Sequence, residues 1–257
     1  MHPLDKVFET KKRNILSVYF TAGYPHPDST VSMLELLDRH GADIIEVGIP
    51  FSDPLADGPV IQQSSQSALS QGINIRRIFR QLRQAHVQAP VVLMGYLNPV
   101  LQYGFEAFLR DAQQAGVSAL ILPDLPPEIF AARYQALYQK YGIYPVFLVS
   151  PQSSDHRIRL LDSLSKGFIY AVAASSTTGN KRRFGTEEED WFNRLISLSL
   201  KNPVMAGFGI ADHQSLQFVF DRLPGAVVGS ALIRNLNPEK SDYGIADFMH
   251  KLLTPTT

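Results

Sequence analysis

Eight short runs of apolar, β-branched and aromatic residues recur from one end of the chain to the other, at residues 15–21, 43–47, 90–96, 119–123, 144–150, 167–173, 203–208 and 226–229. Most are apolar nearly throughout, which predicts strands covered on both faces, as in a parallel sheet. Helix-period segments separate them. Asp28 is placed to cap a helix whose apolar face is Val31, Leu34 and Leu37, with Gly41 closing it. Phe105, Phe108, Leu109 and Ala112 form a second stripe, Ile158, Leu161 and Leu164 a third, and Ile245, Phe248, Met249 and Leu252 the last. The gap between the second and third strands is long enough for two helical patterns, 60–71 and 75–86, behind a loop rich in Pro and Asp. Strands alternating with helices in this way predict an α/β fold, a (β/α)8 TIM barrel with extra helices, as a single domain over 1–257. An open doubly wound sheet is the alternative that the same pattern allows.

Composition narrows the function. The chain has 257 residues, 45% hydrophobic and 19% charged, which excludes a disordered chain. It contains no cysteine, so disulfides, thiolate metal sites and cysteine nucleophiles are excluded and a reducing compartment is permitted. Lys plus Arg and Asp plus Glu balance at 24 each, which argues against an electrostatic grip on nucleic acid or an anionic membrane. Met1-His2-Pro3-Leu4-Asp5 lacks a signal-peptide core, and no apolar run approaches the ~18 residues of a membrane span. A soluble, cytoplasmic protein is expected.

In a barrel the chemistry sits where strands end and loops begin. Of the seven histidines only His26 and His213 fall near a strand end, and none pairs with a carboxylate at ligand spacing, so no metal site is expected. Strand ends carry no lysine for a Schiff base, and no Ser sits in a G-x-S-x-G elbow. Carboxylates remain. Glu46 lies near the end of the second strand, Asp53 and Asp57 in the following loop, and Asp124 after the fourth strand. A Glu inside an apolar strand is either paired or functional, because a buried, unpaired charge is costly. Glu46 and Asp57, on one strand and its loop, can face a common substrate as an acid/base pair. Glycines mark a second feature: Gly207-Phe208-Gly209 after the seventh strand, Gly229-Ser230 after the eighth, and Gly179 in Thr177-Thr178-Gly179 after the sixth. Tight turns account for such glycines as well, but their place on the last strands fits a phosphate held by backbone N–H groups.

The run Glu46-Val47-Gly48-Ile49-Pro50-Phe51-Ser52-Asp53-Pro54-Leu55-Ala56-Asp57-Gly58-Pro59 resembles the signature of the tryptophan synthase alpha subunit family. The resemblance continues through Tyr19-Phe20-Thr21-Ala22-Gly23, Met94-Gly95-Tyr96-Leu97-Asn98-Pro99, Pro123-Asp124-Leu125-Pro126, Gly207-Phe208-Gly209-Ile210 and Gly229-Ser230-Ala231, and so spans the chain. It implies retro-aldol cleavage of indole-3-glycerol phosphate to indole and glyceraldehyde 3-phosphate, with Glu46 and Asp57 as the catalytic carboxylates. It also implies an indole pocket walled by Tyr19, Tyr96 and Tyr170, and a phosphate on Thr178, Gly179, Gly209, Gly229 and Ser230. No metal or organic cofactor is implied for this chain. Pyridoxal phosphate belongs to the beta subunit, the implied partner in an α2β2 assembly, toward which Asp53, Asp124 and Pro126 would face.

Two departures from the family pattern stand out. Tyr24 replaces a usual acidic residue, and Ala174-Ser175-Ser176 replaces a stretch that usually contains a glycine. The second change restricts the backbone at Ser176, makes a closed lid harder to reach and predicts a poorly ordered 175–184 segment in the isolated chain. Other phosphate-binding barrels, and an idle chain that only activates a beta subunit, are the rival readings.

Overall fold

The computed structural model describes residues 1–172, 185–207 and 209–255. Nine parallel strands form one sheet: β1 (Ile15–Thr21), β2 (Ile44–Gly48), β3 (Val91–Met94), β4 (Val117–Ile121), β5 (Tyr144–Val146), β6 (Leu148–Val149), β7 (Ile169–Val172), β8 (Val204–Gly207) and β9 (Gly225–Val228). Their order is β5-β4-β3-β2-β1-β9-β8-β7-β6. The two end strands are consecutive in sequence and separated only by Phe147, whose carbonyl accepts from Tyr170 N at 3.1 Å. The sheet is thus a ring of eight staves with one stave interrupted. This is the expected TIM barrel, not the open sheet.

Strand alternation explains why the runs are apolar throughout. On β1, Leu16, Val18 and Phe20 pack outward against the helices, while Ile15 and Tyr19 belong to a separate cluster inside the barrel. On β2, Ile45 and Val47 point out and Ile44 points in. Both faces are buried, so polar residues inside the ring stand out as the exceptions. Helix α1 (Pro3–Lys11) covers the N-terminal mouth, with Leu4 fully buried in the inner cluster and Val7 and Phe8 packed against it.

Helix α2 (Ser29–Arg39) follows β1. Asp28 occupies its N-cap position but makes no cap hydrogen bond, because its carboxylate accepts from the Arg77 guanidinium at 2.6 Å. The buried face of α2 is Thr30, Met33, Leu34 and Leu37, and Val31 is only half-buried. The long second gap holds α3 (Pro59–Ser70) and α4 (Ile75–Leu82), the latter ending short of the expected residue 86. These inserted helices brace the end of β1. Ser64 of α3 hydrogen-bonds the Thr21 hydroxyl at 2.7 Å, and Gln81 of α4 donates to the Pro27 carbonyl at 2.7 Å.

Candidate active site

Strands β1, β2 and β7, the loop after β2 and the start of the helix after β3 bring the site together. On β2, Glu46 pairs in register with Tyr19 of β1 and Val92 of β3, and it points into the barrel, fully buried. Its Oε1 accepts from Ser17 Oγ at 2.7 Å, and its Oε2 is buried without a hydrogen-bond partner among the described residues. Burial raises the Glu46 carboxyl to about 7, with the Ser17 hydroxyl pulling the other way. A carboxyl in that range holds and releases a proton near neutrality.

Asp57 sits in the loop after β2, immediately ahead of α3. Burial lifts its carboxyl to about 6, opposed by a hydrogen bond from the Tyr96 hydroxyl. Tyr96, at the N-cap position of α5 (Leu97–Tyr103), organises this loop in two further ways. Its hydroxyl accepts from Ala56 N at 3.0 Å, and its ring stacks on Phe51 with centroids 5.2 Å apart.

Tyr19 and Tyr170 both feel the two carboxylates. Both tyrosines are buried, and the phenol of each is pushed upward by burial and by the charges of both Glu46 and Asp57. Glycines give the rings their room. A side chain on Gly48 would overlap the Tyr19 hydroxyl, and one on Gly207 would overlap that of Tyr170. Ser17 is not marked as a site residue by the sequence, and Gly207, read there as part of a phosphate-binding turn, instead makes room for the Tyr170 hydroxyl. The available signal for Ser17 was its period-two spacing with Tyr19 and Thr21, three hydroxyl groups on the inward face of one strand.

Gly209 adopts φ +79° just past β8, and Gly229 is the N-cap of the short helix Ser230–Asn235 after β9. Gly229 and Ser230 are both half-buried, and the Tyr19 ring lies close against Gly229. Thr178 and Gly179, Phe208 and the expected lid over 175–184 lie outside the described residues. Tyr24 is half-buried and packs at the edge of the inner cluster.

Asp53 and Pro126 are exposed. Asp124 is engaged within the chain, its two oxygens accepting from Leu97 N at 2.9 and 3.0 Å, so it ties the loop after β4 to the start of α5. A groove of about 670 Å³ runs between the acidic loop and helices α4 and α5, with Phe51, Asp53, Arg76, Asn98 and Tyr103 among its walls. Among the described residues no three His, Asp or Glu side chains come together as a metal site. Nor is any helix there long and apolar enough to cross a membrane.

Known proteins resemble this chain over nearly its whole length. The family model for the tryptophan synthase alpha chain matches residues 6–252. The tryptophan synthase alpha chain of Flavobacterium johnsoniae is 47% identical over 238 residues, covering 92% of this chain and 93% of that one. Among solved structures, the tryptophan synthase alpha chain of Legionella pneumophila superposes with a TM-score of 0.88 at 33% identity, covering 98% and 96% of the two chains. A structure describing mutual activation of the tryptophan synthase α2β2 complex of Pyrococcus furiosus gives 0.86 at 34% identity, covering 94% and 98%.

Proposed function

The chain belongs to the tryptophan synthase alpha chain family, and from that premise we propose that Glu46 and Asp57 share the acid/base work of its reaction. That reaction is a lyase reaction, the cleavage of indole-3-glycerol phosphate to indole and glyceraldehyde 3-phosphate. Breaking the bond between indole C3 and the glycerol chain needs a proton on C3 and removal of one from the adjacent hydroxyl. Glu46 in its acid form gives its proton to C3. The resulting carboxylate then takes the hydroxyl proton as the carbon–carbon bond breaks. The bonding pair returns to the indole ring, the hydroxyl becomes the aldehyde, and Glu46 is again an acid. Asp57, as a carboxylate, accepts the indole N–H and offsets the positive charge that develops on the ring. Tyr19, Tyr96 and Tyr170 wall the ring, and the backbone around Gly179, Gly209 and Gly229, with Thr178 and Ser230, holds the phosphate.

The observation that carries this reading is the Glu46 carboxyl, buried in the barrel with one oxygen unpartnered and raised to about 7. The alpha chain needs no cofactor of its own; pyridoxal phosphate belongs on a beta subunit. We place that subunit, in an α2β2 assembly, against the face that carries Asp53, Asp124 and Pro126, where Leu55 is 93% exposed on the acidic loop. Indole release from indole-3-glycerol phosphate, followed with and without beta subunit for the parent chain, Glu46→Gln and Asp57→Asn, tests the assignment. An idle activator would release no indole in either state, whereas the proposed enzyme does so in both and loses it on either substitution.

A further inference from the structure

The two oxygens of Glu46 have different surroundings. Oε1 accepts from Ser17 Oγ at 2.7 Å between two fully buried residues, while Oε2 has no hydrogen-bond partner among the described residues. Among the described residues no Lys, Arg or His is buried, and the Glu46 carboxyl responds to burial and to Ser17. Tyr19 from β1 and Tyr170 from β7 feel the Glu46 charge, and Asp57 faces the same two tyrosines from the loop after β2. On the other side β3 presents the apolar Val92 and Met94. Among the described residues Ser17 is the one side chain that hydrogen-bonds the carboxyl. It lies one inward position closer to the N-terminal end of the barrel than Tyr19, which is level with Glu46.

We infer that Ser17 is a positioning residue for the cleavage: by donating to Oε1 it makes Oε2 the oxygen that exchanges protons with the substrate. The chemistry is specific to a hydroxyl donor. When Glu46 is an acid, an oxygen that already accepts from Ser17 is the poorer place for its proton, so the proton resides on Oε2. When Glu46 is a carboxylate, the same donor stabilises it enough to form, whereas a buried cation in place of Ser17 would trap it ionised. Ser17 thus fixes both the direction and the reversibility of the transfer. This inference rests on the assignment of Glu46 as the proton shuttle.

Ser17→Thr and Ser17→Val have nearly equal volume and differ in the hydroxyl, and Ser17→Ala removes the donor without adding bulk. Two measurements on the full chain separate the possibilities. The first is titration of the Glu46 carboxyl by infrared difference spectroscopy against Glu46→Gln, which needs no substrate. The second is turnover of indole-3-glycerol phosphate, alone and with beta subunit. Ser17→Ala and Ser17→Val should raise the carboxyl titration by about one pH unit and lower kcat roughly 10- to 100-fold with KM little changed, and Ser17→Thr should restore both. If Ser17→Val fails to fold, Ser17→Ala carries the comparison. Parental titration and parental kcat in Ser17→Ala would overturn the inference. Turnover persisting in Glu46→Gln would instead overturn the assignment of Glu46 on which it rests, whatever the titration shows.

Discussion

Gly48 ends β2 where the Tyr19 hydroxyl crosses it, so that a Cβ at residue 48 would occupy the space of the phenol. The Tyr19 ring is buried and also lies against Gly229, so it has little room to retreat. Gly48→Ala should therefore displace either the ring or the strand that carries Glu46. Overpacking of this kind costs about 1–3 kcal/mol. Urea unfolding should show that loss together with a lower kcat. Tyr19→Phe in the same background should recover only part of the stability, because the ring edge also lies against residue 48.

Glu46→Gln keeps the side-chain shape and the acceptor for Ser17 but ends proton transfer. Turnover should fall by roughly 10²–10⁴-fold or more with KM largely retained. Its effect on stability should have the opposite sign. The folded carboxyl is raised from 4.5 to about 7, so between those values the unfolded chain has lost a proton that the folded chain keeps. Folding stability falls as pH rises through that window, and the full penalty is present above it. A separation of that size is worth roughly 3 kcal/mol. Glu46→Gln should thus be more stable than the parent at pH 8, with the difference vanishing toward pH 4. Unfolding midpoints at the two pH values check this.

Tyr96→Phe removes the hydroxyl that opposes the burial of Asp57. Without it the carboxyl should rise further above about 6, and its ionised form should appear later as pH increases. The acid limb of the kcat/KM profile should then move upward by about half a pH unit or more while the alkaline limb, set by Glu46, stays in place. The substrate phosphate also titrates near this range, so parent and variant are compared on the same substrate. An unmoved acid limb would remove Asp57 from that titration.

Ser230→Asp places a carboxylate at the proposed phosphate site beside Gly229. Like-charge repulsion should raise KM more than it lowers kcat. A fall in kcat alone would put the phosphate elsewhere.

The barrel was legible in the sequence because burial on both strand faces leaves a direct trace, near-continuous apolar runs such as 15–21 and 90–96. Glu46 was legible for the converse reason, as an acid within such a run. Ser17 was not, because a serine in a strand is common and its meaning depends on a partner 29 positions away. Asp28 shows how a local rule is overruled: it stands at the cap position, but Arg77, distant in sequence, takes its carboxylate. Asp124 was read as facing outward to a partner, yet its carboxylate also organises α5, a role that needed the fold of the neighbouring loop to see.

The interrupted stave at Phe147 gives the ring a clasp. The strands on either side of it pair over only three and two residues, against five between β1 and β2. In the strand order β1 stands farthest from the clasp, and the Ser17–Glu46 bond joins it to its neighbour β2. Partial openings start where fewest backbone bonds must break. The proton-carrying pair thus rides on the most heavily laced joint among the described strands, across the ring from its clasp.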